Sequence, residues 1–136
     1  MIALLTLMAA LSFTQYSDIE VVAITIMGEA WGESYEGKRA VGQVILNRAK
    51  KRWRGAKTAR HVCLDPKQFS SINTMTEAKI KRFQKDRSSW RRSLIIAEKV
   101  VRGMKVHEIK YIMFDNRLNR WYKKTGYKKI GNHYFW

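Results

Sequence analysis

The chain has 136 residues, and its 27 lysines and arginines against 11 acidic residues give a formal net charge of +16. This length suits a single domain with one core, and the 46% hydrophobic content with only one proline argues against a disordered chain. The charge indicates an anionic partner: nucleic acid, acidic membrane or an anionic wall polymer. Cys63 is the only cysteine, so an internal disulfide is excluded, and no zinc-binding pattern of cysteine and histidine is present.

An apolar segment opens the chain, and we separate it as residues 1–14 from a domain at 15–136. Residues 2–11 carry no charge and are too few to span a bilayer comfortably. Their length and the small residues that follow are typical of a signal peptide, although a positive region ahead of them is missing. The alternatives are a weak membrane anchor and a first core helix.

The first strong helix signal runs from Ser17 to Trp31. Ser17 and Glu20 form a capping-box pattern, and an apolar run follows them. Glu29 falls near the end of this helix, beside its apolar face. That face carries Val22, Ile26 and Ala30.

Glycines at 28, 32 and 37 then predict a bend, where a cleft can open beside Glu29. Partial burial disfavours the charged form of a carboxyl group, and a carboxyl group that keeps its proton near neutral pH can act as a general acid. The alternative is an exposed glutamate at a fraying helix end.

A second helix is predicted to begin near Ser34–Gly37 and to run to about Lys51. Gln43 and Asn47 are paired at i, i+4 beside its apolar stripe. We expect Asn47 and Arg48 to be buried polar groups that tie loops to the helix. The stripe consists of Ala40, Val41, Val44, Ile45 and Arg48.

Periodicity is lost from 52 to 73, which predicts a long ordered loop. Thr74 and Glu77 then form a capping box that predicts a short helix to about Lys85, and Ser88 caps a further helix that ends at Gly103. Three strand candidates follow, at 109–114, 120–123 and 133–136, separated by glycine-containing turns. Helices followed by a small β region predict an α+β fold.

Patterns for common nucleotide, metal and nucleophile sites are absent from the sequence. Basic residues interleaved with Trp53, Trp90 and Trp121 could bind single-stranded nucleic acid by stacking. Such aromatic residues are more often core residues or walls of a sugar cleft, and we expect no nucleic-acid partner.

Three motifs, in order and suitably spaced, resemble those of the SleB-type cell-wall hydrolases over residues 20–136. They are Gly28-Glu29-Ala30-Trp31-Gly32-Glu33 with Tyr35-Glu36-Gly37 and Val44-Ile45-Leu46-Asn47-Arg48, then Gln68-Phe69-Ser70 with Asn73, then Ile130-Gly131-Asn132-His133 with Phe135.

The resemblance implies a lysozyme-like α+β domain, mainly helical, with a small antiparallel β region in the C-terminal third. It also implies an enzyme that cleaves peptidoglycan glycan strands between N-acetylmuramic acid and N-acetylglucosamine, typically as a lytic transglycosylase. The glutamate matching Glu29 would be the acid/base, with no metal and no cofactor.

Sugar contacts implied by the resemblance come from the three motifs, and each of these residues could instead tie loops or pack in the core. A muramidase, the alternative enzyme, would need a second acid, for which Glu33 and Glu36 are candidates. A non-catalytic basic binding module is the other alternative. The expected substrate-binding residues are Glu33, Gln68, Phe69, Ser70, Asn132 and His133.

The expected partners are peptidoglycan glycan strands, and anionic wall polymers held by the basic surface. We expect a monomer, exported or associated with the cell envelope, that touches membrane only through residues 1–14 if at all. The sequence leaves open whether it serves a phage, a spore or a dividing cell.

Overall fold

The structure, a computed structural model, describes residues 11–117 and 126–136. Helices make up most of these residues, and a small antiparallel sheet lies in the C-terminal third, so the predicted α+β class is confirmed. The helices are α1 (Asp18–Ala30), α2 (Tyr35–Lys50), a 3₁₀ helix (Trp53–Gly55), α3 (Ala59–Leu64), α4 (Ser70–Asn73), α5 (Glu77–Lys85) and α6 (Arg87–Val101). The strands are β1 (Phe114–Asp115), β2 (Lys128–Ile130) and β3 (His133–Phe135).

Helix α1 lies at the centre of the domain. All residues from 21 to 27 are buried, and the helix packs against α2, α3 and α6. A helix that is apolar on every side must be enclosed by other elements, and this one is. The predicted capping box is confirmed: the Glu20 amide donates to Ser17 Oγ at 3.1 Å, and the Ser17 amide donates to Glu20 Oε1 at 3.0 Å.

Helix α2 has the predicted buried stripe and the predicted polar ties. Gln43 Nε2 donates to Asn47 Oδ1 at 2.9 Å, and Asn47 Nδ2 donates to the carbonyls of Ile109 and Tyr111 at 3.2 and 2.9 Å. Arg48 Nε donates to the Ile112 carbonyl at 2.6 Å. These bonds attach the segment before the sheet to α2.

The prediction of a continuous loop from 52 to 73 is wrong, because α3, α4 and the 3₁₀ helix lie within it. Thr58 caps α3 by accepting a bond from the His61 amide at 3.1 Å. Both α-helices here are shorter than two turns, so neither can display a helical period in its apolar residues.

Two predicted helix caps are also wrong by two residues. Thr76, and not Thr74, caps α5 by accepting from the Lys79 amide at 3.2 Å. Asp86, and not Ser88, caps α6 by accepting from the Ser89 amide at 3.3 Å. Each true cap belongs to the residue types that favour this position, and neighbouring residues of the same types hid it.

The sheet has the order β1-β3-β2 with antiparallel pairs. The prediction of β3 is confirmed, while β2 was missed and the candidate at 120–123 lies outside the described residues. The strand predicted at 109–114 is wrong except at Phe114. Side chains of α2 take the carbonyls of residues 109, 111 and 112, so this backbone is satisfied without a neighbouring strand.

The described part of the N-terminal segment rests on the domain. Leu11 and Phe13 pack against the core, and Arg60 donates to the carbonyls of Phe13 and Tyr16 at 2.7 and 2.8 Å. The predicted signal, anchor or helix concerns mainly residues 1–10, which lie outside the described residues. Across 11–117 and 126–136, no helix combines the length and the apolar character needed to cross a membrane.

Candidate active site

Glu29 occupies the last turn of α1 and is half-buried. The Ser71 hydroxyl on α4 donates to Glu29 Oε1 at 2.9 Å. Helix α4 can come this close because residue 28 is glycine: a Cβ there would stand only 2.8 Å from Ser71 Oγ. The lack of a side chain at Gly28 thus lets Ser71 come close enough to bond to one oxygen of the Glu29 carboxylate.

A cleft of about 360 Å³ opens in front of Glu29. One wall is the loop leading into α4, and the other is the segment around β1 together with β3. Five of the seven predicted site residues meet here: Glu29, Gln68, Phe69, Ser70 and His133. The remaining lining residues are Arg48, Met113, Phe114, Asp115 and Asn116.

Arg48 joins the two walls. Its guanidinium donates to the Gln68 carbonyl at 3.2 Å and to the Ile112 carbonyl at 2.6 Å. It lies between the rings of Trp53 and Phe69, 4.6 and 4.8 Å from their centroids. Burial lowers the pKa of Arg48 to about 10, so the residue keeps its positive charge near neutral pH.

Two polar atoms of the lining residues are buried without a hydrogen-bond partner among the described residues: Gln68 Oε1 and His133 Nδ1. A buried polar group normally has a partner, because leaving it unpaired costs about 1–3 kcal/mol. Gln68 Nε2 is already engaged with Asp65 Oδ2 at 3.2 Å. Both residues line the cleft beside Glu29, although these two atoms are not themselves exposed in it.

Aromatic rings form the floor beneath His133. Its imidazole meets the Phe114 ring edge-on with centroids 5.2 Å apart, and Phe114 stacks on Phe135 at 5.6 Å. Phe69 and Phe135 are both buried in the core. Their role is to set the shape of the floor.

Glu33 and Asn132, the other two predicted site residues, lie beside the cleft and bond to each other. The Asn132 amide donates to Glu33 Oε1 at 3.1 Å. Lys38 Nζ donates to the carbonyls of Glu33 and Trp31, at 2.6 and 2.8 Å, and so fixes the bend after α1. Burial lowers the pKa of Lys38, although the carboxylates of Asp86 and Glu33 favour its charged form.

The carboxylates lining the cleft, among the described residues, are Glu29 and Asp115. Asp115 accepts a bond from the Arg117 amide at 3.3 Å. Glu36, one of the two acids proposed for a muramidase, is half-exposed and bonds instead to His107 Nε2 at 3.2 Å, in a separate concavity. Any second acid in this cleft would therefore be Asp115 rather than Glu36.

Cys63 is buried, and burial raises the pKa of its thiol to about 12. A thiol with so high a pKa carries almost no thiolate near neutral pH and is a poor nucleophile. No group of three or more histidine, cysteine, aspartate or glutamate side chains able to hold a metal ion occurs within 11–117 and 126–136.

A further concavity, of about 570 Å³, lies on the basic side of α6. Its Tyr35 ring has the guanidinium carbons of Arg39 and Arg92 at 5.3 and 5.8 Å from its centroid. Among the residues that the structure describes, no acidic side chain lines it. The lining residues are Tyr35, Arg87, Ser88, Arg91, Arg92 and Ile95, which we call the arginine groove.

The model of one protein family, the cell wall hydrolases, matches residues 32–136. The chain belongs to the cell wall hydrolase family. The matched region begins three residues after Glu29 and contains every other residue of the cleft. Comparisons with curated proteins and with solved structures give no match. Family membership makes the cell wall the place of action and peptidoglycan the substrate class.

Sequence reasoning missed three groups of this hydrolase cleft: Ser71, Asp115 and the cleft-lining face of Arg48. Ser71 follows Ser70 directly, and nothing in the sequence tells which of two adjacent serines faces Glu29. Asp115 directly follows the strand predicted at 109–114, and no site role was assigned to it. Arg48 was expected only to tie loops.

Proposed function

We propose that this cell wall hydrolase cleaves the glycan strand of peptidoglycan between N-acetylmuramic acid and N-acetylglucosamine, with Glu29 as the acid and base. The observation that carries the proposal is a half-buried carboxylate, bonded by the Ser71 hydroxyl, that lines a cleft together with Gln68, Ser70 and His133. A carboxyl group that lines a cleft can transfer a proton to or from a bound substrate.

The first step is proton transfer from Glu29 to the glycosidic oxygen. The bond from the anomeric carbon of muramic acid to that oxygen breaks, the glucosamine leaves with a new hydroxyl, and positive charge develops at the anomeric carbon. The substrate's own acetamido oxygen stabilises this charge. The 6-hydroxyl oxygen then attacks the anomeric carbon, and its proton returns to Glu29.

This lytic transglycosylase route consumes no water and needs one carboxylate. It is supported by the surroundings of Glu33 and Glu36, which bond to a backbone amide and to a histidine respectively. Gln68, Ser70 and His133 would contact the sugar and its acetamido group from the two walls of the cleft.

Hydrolysis to a reducing end is the second candidate, and one observation favours it: Asp115 lines the same cleft as Glu29. A retaining hydrolase places its carboxyl groups about 5–5.5 Å apart and an inverting one about 6.5–9.5 Å apart. In that reaction Asp115 would act as nucleophile or would activate a water molecule.

Mass spectrometry of muropeptides released from purified walls separates the two routes. The transglycosylase yields 1,6-anhydromuramic acid ends, one water lighter than hydrolytic ends and resistant to borohydride. Mainly reducible ends that disappear in Asp115→Asn would overturn the transglycosylase route in favour of the hydrolase.

Anionic wall polymers are the proposed second partner, with the arginine groove as their binding surface. Its arginines face solvent, and no carboxylate lines the groove within 11–117 and 126–136, so these cations are available to a polyanion. Action on the wall also places the protein outside the membrane, exported or released there.

A further inference from the structure

The Glu33 carboxylate is almost fully buried, with a tenth of its side chain exposed. Both of its oxygens lie within hydrogen-bonding distance of the Asn132 amide, at 3.1 and 3.4 Å. Asn132 belongs to the turn between β2 and β3. A buried carboxylate that accepts from a backbone amide fixes that piece of backbone strongly, because the bond is charge-assisted.

The turn is shaped to receive this carboxylate. Gly131 has a φ of +57°, in the left-handed region that glycine tolerates best. A Cβ at Gly131 would collide with Glu33 Oε2. The glycine therefore provides both the backbone conformation of the turn and the space that the carboxylate occupies.

Glu33 is itself held from the helical side. Lys38 Nζ binds its carbonyl oxygen, and a Cβ at Gly37 would lie 3.0 Å from Glu33 Cβ, so α2 packs closely on it. The residue thus bridges a rigid pair of helices and the turn of a small sheet.

His133 follows directly in the chain and lines the cleft with Glu29. Its Nδ1 lies 3.7 Å from Glu33 Oε1 and has no hydrogen-bond partner among the described residues. The bond to Asn132 therefore sets where the imidazole enters the cleft.

We propose that Glu33 is a positioning residue that acts through the turn at 131–133, holding His133 against the bound glycan, and that it is not an acid of the reaction. The proposal rests on the proposed function of the cleft. The two glutamates of the first motif then have different roles. Glu29 transfers protons, and Glu33 fixes the position of the cleft wall that carries His133.

The decisive comparison is Glu33→Gln against Glu33→Ala in kcat/KM on soluble glycan. Glutamine keeps an oxygen that can accept from the Asn132 amide, so we expect a loss of no more than about threefold. Alanine keeps none, and we expect a loss of at least about tenfold, the scale of one charge-assisted hydrogen bond. Glu98→Gln, on the exposed part of α6, is the matched control for removal of a surface carboxylate.

A double-mutant cycle tests whether Glu33 acts through His133. If it does, Glu33→Ala combined with His133→Ala costs little more than His133→Ala alone. Losses that add fully would overturn the proposal. A Glu33→Gln protein that is folded but as inactive as Glu29→Gln would also overturn it, because the missing property would then be an acidic proton. This second result can be read even if Glu33→Ala fails to fold.

Hydrogen exchange of the Asn132 amide, measured by NMR, is independent of activity. We expect its protection to fall in Glu33→Ala and to persist in Glu33→Gln, while amides of α1 stay protected in both. Unchanged Asn132 protection in Glu33→Ala would overturn the proposed role of Glu33. A wild-type protein that cleaves no glycan, with the Asn132 amide protected as expected, would overturn the proposed function and leave the bond between Glu33 and the turn established.

Discussion

The end of α1 and the bend that follows it each carry a glutamate, four residues apart, in very different surroundings. Glu29 accepts one bond from a hydroxyl group and faces a cleft. Glu33 directs both oxygens at a backbone amide and is closed in by a glycine turn. The first therefore lies where a substrate can reach it, whereas the second is not among the residues that line the cleft. The difference shows that a motif with two glutamates need not supply two acids.

The largest effect should come from Glu29→Gln. Glutamine preserves shape but cannot donate a proton to the glycosidic oxygen, so we expect lysis of purified walls to fall by about 10²–10⁴-fold. Circular dichroism and the Tm should stay close to those of the wild type. Substantial lysis by this folded variant would contradict the role assigned to Glu29 and remove the contrast with Glu33.

Gly131→Ala tests the enclosed surroundings of Glu33. Alanine at this position must adopt a left-handed backbone conformation, which costs roughly 1–2 kcal/mol. Its Cβ must also displace the Glu33 carboxylate. Gly126→Ala is the matched control, because Gly126 has a φ of +83° and, within the described part of the chain, no non-neighbouring residue has an atom within 4 Å of its added Cβ. We expect a clearly larger loss of Tm and activity at 131 than at 126. Equal losses would mean that contact with Glu33 contributes nothing.

Ser71→Ala tests the surroundings of Glu29, which faces the cleft. Removing the hydroxyl leaves Glu29 without its donor at Oε1, and we expect kcat to fall by about tenfold, the scale of one hydrogen bond to a charged group. A rate unchanged from wild type would show that Ser71 is only a packing neighbour of Gly28.

The smallest effect should come from charge remote from both glutamates. Arg91→Gln with Arg92→Gln removes two cations of the arginine groove, and we expect wall lysis to slow by a few-fold and to become less sensitive to salt. Cleavage of short neutral glycan fragments should be unchanged. An equal slowing on both substrates would place the effect in the cleft rather than in wall binding.

The sequence alone was sufficient for the helices with long apolar runs and strong caps. Helix α1 is such a case, since Ser17 and Glu20 mark its start and seven consecutive buried residues follow. Five of the seven predicted site residues also meet in one cleft, because the resemblance rested on motifs that the fold brings together.

The features that were not predicted from the sequence depend on contacts between residues far apart in the chain. The backbone at 109–112 avoids a strand because Asn47 and Arg48 reach it from α2, more than sixty residues earlier. Ser71 meets Glu29 because Gly28 leaves space, a relation between residues 43 positions apart that no local pattern records. Short helices such as α3 fail for a different reason, since six residues cannot show a period.

Arg48 sets a dimension of the cleft. One guanidinium holds a carbonyl of each wall, so the walls cannot separate without breaking a bond to a buried cation. The width of the cleft therefore depends on one guanidinium group, which bonds to both walls. A lysine at this position would keep the positive charge, but it lacks the planar group with several N–H donors. It could therefore not bond to both walls in the same geometry.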